Sequence, residues 1–276
     1  MKNAIVTYIY PNALDFIESF TNRINKINTD NIILIIFNDG IENPEILFKK
    51  VKFPYKIIPV KGTINEIRHH SIQYLSKNFN DIESYIFQDI DDLFSINRFD
   101  VLIDKLKNNL IVCNDLKKLD NNGVHSSSMW SERLQNDFEF DYQFIINKNI
   151  IGLGNVGLKK NILAHKTQLS NTPVAFDWFY FYQLLKDTGI KAAFTSECQT
   201  YYLQHDDNIA GIDKGLTVEN LRKIINVKKK HYESLISLGY SELEQELKKL
   251  NNLEDVNLSA TKKNQNLFWW EETEIL

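Results

Sequence analysis

Tyr85-Ile86-Phe87-Gln88-Asp89-Ile90-Asp91-Asp92 is a short apolar run that ends in three acids within four residues. A run of this length, rich in β-branched and aromatic residues, reads as a buried strand. Carboxylates this close repel and raise one another's pKa. A bound divalent cation would remove that penalty, and hard cations such as Mg²⁺ and Mn²⁺ prefer carboxylate oxygens and are often shared with substrate phosphates. Ligands of open α/β sheets sit at the carboxyl ends of the strands. The segment therefore points to a metal-diphosphate site at a strand end. The competing reading is a loop of solvated acids that opens the next helix, where negative charge is favoured.

Such a site needs a sheet to carry it. Ala4 to Ile9, Asn31 to Phe37, Tyr55 to Val60 and Tyr85 to Gln88 read as strands, the first stopped by Pro11 and Asn12. Leu14 to Ile27 and Thr63 to Asn78 carry apolar residues at helical spacing. Continuous apolar strands alternating with amphipathic helices indicate an α/β fold with a mainly parallel sheet covered on both faces. Further along, Ile111 to Cys113, Phe140 to Ile146, Lys191 to Thr195 and Gln199 to Leu203 read as strands, Asp120 to Ser128 as a loop, and Phe176 to Lys186 as a strongly aromatic helix. From Thr217 the pattern is helical and charged, which sets a boundary between a domain at 1–215 and a helical extension with a tail at 216–276.

Composition narrows the function class. Hydrophobic residues at 43% and charged residues at 25% are those of a soluble globular protein. The net charge of -4 gives no electrostatic reason to expect nucleic acid as a partner. Cys113 and Cys198 form neither a metal-ligand spacing nor a disulfide framework, so a reduced, cytoplasmic compartment is the simplest expectation. The N-terminus lacks a signal-peptide stretch, and no segment approaches the ~18 apolar residues of a membrane span. Any membrane role is expected to be peripheral, at the inner face of the cell membrane.

The acids stand in a series. In order come Val6-Thr7-Tyr8 with Pro11-Asn12, Asn38-Asp39-Gly40, Gly62 to Arg68, Asp89-Ile90-Asp91-Asp92, Gly154-Asn155-Val156-Gly157, Phe176-Asp177-Trp178, and Tyr202 to Gly211. This series resembles the inverting nucleotide-sugar glycosyltransferases of the GT-A fold, the large family-2 type, over roughly residues 1 to 211. The residues after Thr217 carry no such resemblance.

The resemblance implies a role for each position. Asp89 contacts the ribose, and Asp91, the second acid of the Asp-x-Asp motif, holds Mn²⁺ or Mg²⁺; Asp92 either completes the electrostatics or starts the following helix. His205 is a further metal ligand, and an imidazole suits Mn²⁺. Asp39 accepts a hydrogen bond from the nucleotide base, Thr7 and Tyr8 lie by base and ribose, and Arg68 meets base or phosphate. The turn that contains Asn155 shapes the donor-sugar pocket. Asp177 is the general base that deprotonates the acceptor hydroxyl for in-line displacement. It departs from the family pattern in being preceded by Phe176 rather than an acid. Trp178 either stacks on the acceptor sugar or packs in the core. The expected partners are a nucleotide-sugar donor, a UDP-sugar first, and a saccharide or lipid-linked saccharide acceptor, in bacterial surface polysaccharide or glycan synthesis.

Three rivals remain. A haloacid-dehalogenase-type phosphatase would use Asp89 as nucleophile and Asp91 as acid/base, but that motif normally sits on the first strand. A nucleotidyltransferase would need a Gly- and Arg-rich first loop. A non-catalytic carbohydrate-binding relative would not need Asp91, Asp177 and His205. The amphipathic C-terminal helices offer a surface for a homo-oligomer. Lys228-Lys229-Lys230 reads as a basic run for an anionic membrane surface or as a solvated helix face, and Phe268-Trp269-Trp270 as a tail anchor.

Overall fold

The apolar runs form strands because both of their faces are covered. In the computed structural model the first is β1 (Lys2–Ile9), followed by β2 (Ile32–Asn38), β3 (Tyr55–Pro59), β4 (Ile82–Phe87), the two-residue β5 (Leu93–Phe94), β6 (Ile111–Asp120), β7 (Gly123–Ser128), β8 (Phe138–Phe140), β9 (Val156–Lys159) and β10 (Ala192–Leu203). The structure describes residues 2–27, 31–120, 123–170, 175–203, 217–253 and 267–272. The chain forms two units, each built from separate stretches. The first takes Met1–Glu139, Gly152–Lys166 and Lys191–Leu203, the second Phe140–Ile151, Thr167–Ile190 and Gln204–Leu276.

The first unit holds a mixed, mostly parallel sheet in the order β3-β2-β1-β4-β9-β6-β10-β5. Strands β3, β2, β1 and β4 run parallel, β9 runs against both β4 and β6, β6 and β10 are parallel, and β5 closes against β10. Helices α1 (Leu14–Ile24) and α2 (Ile64–Asn78) link the early strands, α3 (Arg98–Lys105) follows β5, and the short α4 (Lys160–Leu163) follows β9. From β1 the chain moves outward through β2 and β3, then returns to place β4 on the other side of β1. Ligands of such sheets bind in the crevice at a reversal of this kind, which here falls at the carboxyl ends of β1 and β4.

Three expectations about the strands change. Asp120 to Ser128 is not a simple loop: β7 pairs antiparallel with β6, with Asp120 opposite Gly123. The strands expected at Lys191 to Thr195 and Gln199 to Leu203 are one strand, β10, with a register shift between Thr195 and Gln199. Asn136 Oδ1 holds that bulge by accepting from Thr195 Oγ1 at 2.9 Å and from Ser196 N at 3.0 Å. A bulge re-aims the side chains beyond it, and Thr200, just past it, points its hydroxyl at Gly154 O. Phe140 to Ile146 is not a strand beyond Phe140, because its carbonyls serve side chains. Trp178 Nε1 donates to Ile145 O at 2.6 Å, and Tyr232 OH donates to Ile146 O at 3.1 Å.

The second unit is aromatic and helical, built on α5 (Phe176–Thr188), α6 (Val218–Ser237) and α7 (Glu244–Leu253). The aromatic helix thus belongs with the C-terminal helices, which departs from a division at residue 215. Side-chain bonds explain why: Tyr182 OH donates to Glu242 Oε1 at 3.0 Å, and Tyr240 OH donates to Asp187 Oδ1 at 2.9 Å. The tail anchor is packing. Trp269 and Asn149 exchange backbone hydrogen bonds, Phe268 meets Phe144 edge-on at 5.7 Å, and Trp270 lies parallel to Trp178 at 6.2 Å. Lys228 is no part of a solvated basic run. It is buried, and its ammonium donates to Asn147 O at 2.7 Å and Trp270 O at 3.2 Å. No helix among the described residues is long and apolar enough to cross a membrane.

His231 lies in this aromatic core, its ring 3.8 Å from that of Trp178 and nearly parallel to it. Neither ring nitrogen has a hydrogen-bond partner among the described residues. Burial, and then the charge of Lys228, push its pKa well below the ordinary value of 6.5. In the unfolded chain the imidazole takes up a proton below pH 6.5 while the folded one does not, so stability is full above that pH and falls as pH drops below it. The melting temperature should fall between pH 7.5 and 5.5, and His231→Phe should reduce that fall. An equal fall in both proteins would remove His231 as the cause.

Candidate active site

The acid loop begins where β4 ends. Gln88 N donates to Val6 O at 2.9 Å, continuing the β1–β4 ladder one step past Phe87. The Gln88 side chain then turns inward and holds the loop from beneath, with Nε2 donating to Asp89 O at 2.9 Å and Asp92 O at 3.1 Å. A buried amide tied to both ends of a four-residue turn leaves little freedom to the acids between.

The three acids are not equivalent. Asp89 and Asp91 are half-buried, whereas Asp92 is buried. Asp92 Oδ1 accepts from Leu203 N at 2.8 Å, joining the loop to the end of β10. Burial, and after it the charges of Asp91 and Asp89, raise its pKa well above the carboxylate range; the Leu203 N–H and Arg98 act the other way. The expectation that Asp92 starts the next helix is corrected: β5 follows it, and α3 opens at Arg98. Asp92 thus commits an oxygen to the fold, while Asp89 and Asp91 stay half-buried.

Asp89 faces Arg68, whose Nη2 lies 3.9 Å from Asp89 Oδ1. Arg68 is positioned by α2, which Thr63 and Glu66 open with a reciprocal capping box. Tyr10, which directly follows β1, feels the same charge. Burial first, then Asp91 and Asp89, raise its phenol pKa above the ordinary value. Tyr10 was not singled out from the sequence, although it leaves the first strand at the end where the acid loop leaves the fourth.

Gly154 is where the turn before β9 meets the acids. A Cβ at this position would stand 2.5 Å from Asp89 Oδ2 and 3.3 Å from Asp92 Oδ2. Only glycine permits that approach. Gly154→Ala should displace the Asp89 carboxylate and weaken nucleotide binding by about 10–100-fold, the range for a lost supporting contact at a metal or ligand site, with the fold retained. Calorimetric titration with UDP and Mn²⁺ checks this, and wild-type affinity would show that Asp89 needs no such approach.

Other expected contacts fall differently. Asn155 is buried and serves its own turn: Oδ1 accepts from Gly152 N at 2.7 Å and Nδ2 donates to Asn114 O at 2.8 Å. Its amide thus ties the turn to β6. Thr7 is corrected as a ligand contact. It lies on the same face of β1 as Ile5 and Ile9, which belong to the core, and is fully buried. Tyr8 points to the opposite face, half-buried and stacked on Phe37 at 5.5 Å. Asp39 is half-buried after β2, its N–H donating to Ile9 O at 2.9 Å, and Asn38 closes the turn beside it with both side-chain atoms bonded to Ile41.

Asp177 lies in the second unit, half-buried in the first turn of α5. Trp178 is corrected as an acceptor platform: it is fully buried, one face carries His231, Trp270 stacks in parallel, and its N–H is used on Ile145 O. His205 lies outside the described residues, as do Gln204 and 206–211.

Among the described residues no three His, Cys, Asp or Glu side chains form a ready metal-binding group. Two carboxylates at one strand end do suit a hard cation that takes the rest of its oxygens from phosphates and water. Asp89 and Asp91 are such a pair, and after burial, the larger cause, their charges also raise the pKa values of Asp92 and Tyr10.

The sequence matches no protein-family model, and no curated protein matches it. Solved structures share its fold. The chain is similar to S. aureus TarS residues 1–349, a GT-A-type glycosyltransferase, with 14% identity and a TM-score of 0.57 over 91% of this chain and 87% of that one. The same fragment solved with UDP-GlcNAc gives 13% identity and 0.55 over 91% and 79%, and with UDP 13% and 0.58 over 91% and 71%. The mixed, mostly parallel sheet with flanking helices is therefore the expected GT-A fold.

Proposed function

We propose that the chain is a glycosyltransferase that moves a sugar, with inversion, from a nucleoside diphosphate sugar to a hydroxyl of a saccharide or lipid-linked saccharide. The observation that carries this reading is the pair Asp89 and Asp91 at the carboxyl end of β4, beside the strand-order reversal. Its support is a fold shared with a transferase solved with UDP-GlcNAc and with UDP, which makes a UDP-sugar the first donor to test. The same placement counts against a haloacid-dehalogenase-type phosphatase, because the acids follow the fourth strand rather than the first.

In this reading Asp39, Tyr8 and Tyr10 line the nucleoside end of the crevice, Asp89 holds the ribose, and Arg68 orients Asp89 and meets the phosphates. Asp91, with His205, would hold Mn²⁺ or Mg²⁺, which neutralises charge on the leaving diphosphate. Asp177 takes the proton of the acceptor hydroxyl as that oxygen attacks the anomeric carbon and the diphosphate leaves with the bonding pair. Surface polysaccharide or glycan synthesis, in the cytoplasm or at the inner membrane face, is the setting such an acceptor implies.

A panel of nucleotide sugars with Mn²⁺ or Mg²⁺ tests the reading by binding and by slow donor hydrolysis. UDP-sugar binding with donor hydrolysis is expected. Phosphate release from phosphomonoesters, with no nucleotide bound, would replace the transferase by the phosphatase.

A further inference from the structure

Arg98 opens α3 fully buried, a cation with no access to water. Burying a guanidinium is costly unless its donors are satisfied. Its Nε donates to Asn114 Oδ1 at 2.7 Å, Nη1 to Gln88 Oε1 at 2.9 Å, and Nη2 to Phe87 O at 2.9 Å and Gly154 O at 3.1 Å. These four acceptors are the last residue of β4, the first residue of the acid loop, the glycine against which Asp89 lies, and a residue of β6. Asn114 extends the network by donating to Thr200 Oγ1 at 3.1 Å, and Thr200 Oγ1 donates to the same Gly154 carbonyl at 3.2 Å.

The planar fork makes these bonds together, which a point ammonium cannot do. Gln88 in turn ties both ends of the acid loop, so Arg98 acts on the acids through it. The guanidinium stays charged at neutral pH even though burial lowers its pKa to about 10. A fixed positive charge beneath the loop offsets part of the repulsion among its carboxylates.

We propose that Arg98 is the positioning residue of this site: it sets the acid loop and the Gly154 turn in one register, so that Asp89 and Asp91 are preorganised for a metal-diphosphate group. The nature of that group rests on the transferase reading; the positioning does not. Supporting residues of metal sites are worth about 10–100-fold in metal affinity, and Arg98→Lys, which keeps the charge and loses the fork, should have an effect of that size.

Two measurements separate the claims. Hydrogen exchange on wild type and Arg98→Lys should show faster exchange at 88–92 and 152–155 with unchanged protection in β2. Unchanged exchange at those segments overturns the proposal whatever the chain's activity, and equal loss in β2 reduces Arg98 to general stability and overturns it too. UDP titrated with increasing Mn²⁺ should show half-maximal binding at a metal concentration raised about 10–100-fold in the variant. An equal metal requirement also overturns it. No UDP binding by wild type would sink the transferase reading alone and leave the exchange result to decide. If Arg98→Lys does not fold, Gln88→Leu removes one arm of the network and is read by the same two measurements, with the same outcomes deciding.

Discussion

Asp177→Asn binds donor as the wild type does and loses transfer by about 10²–10⁴-fold, the usual worth of a positioned general base. The amide keeps the size and most of the hydrogen bonding of the carboxylate but cannot take a proton. Asp177 lies in the first turn of α5, in the second unit, and Asp39, Arg68, Asp89 and Asp91, the residues proposed to hold the donor, all belong to the first. The substitution should therefore separate binding from chemistry. Calorimetric titration with UDP and Mn²⁺ reads the first, and single-turnover transfer to an identified acceptor reads the second. Transfer at the wild-type rate would remove Asp177 from the mechanism. A parallel loss of UDP binding would make it part of the donor site.

Asp91→Ala should abolish the stimulation of UDP binding by Mn²⁺ or Mg²⁺. A bound divalent cation stabilises phosphoryl charge by several kcal/mol, so the loss expected at saturating metal is roughly two to three powers of ten in affinity. Metal-free binding should change little, or improve slightly as one negative charge leaves the crevice. The Asp92 carboxyl is committed to Leu203 N, so it is not placed to substitute for Asp91. Titrations with and without metal measure this, and unchanged metal dependence would move the ligand role elsewhere.

The placement of the acids was legible because it depends on local order. An apolar run followed by acids puts those acids at a strand end whichever strands pair with it, and Asp89 and Asp91 stand there. The residues beneath them were not legible. Arg98 in the sequence is one charge at the start of a short helix, and only burial with four acceptors shows what it does. Gln88 reads as the polar end of a strand. Gly154 reads as a turn glycine, and its closeness to Asp89, far away in sequence, exists only after folding. Asn155 stood in the right turn but faces inward, and Thr7 stood on the right strand but faces the core.

Trp178 marks the same limit from the other side. Beside a candidate base, an indole suits sugar stacking and core packing equally well, and the sequence holds nothing that decides between them. His231 and Trp270 decide it by covering the ring, and both come from the part of the chain that resembled nothing. By itself the sequence determined the alternation of strands and helices, the parallel sheet and the end of β4 at which the acids lie, because periodicity and charge placement are local properties. The tertiary structure alone decided which acid is buried and which two stay half-buried, which arginine lies beneath their loop, and that the aromatic helix joins the C-terminal helices. Those outcomes depend on contacts between residues tens of positions apart, and no local pattern records them.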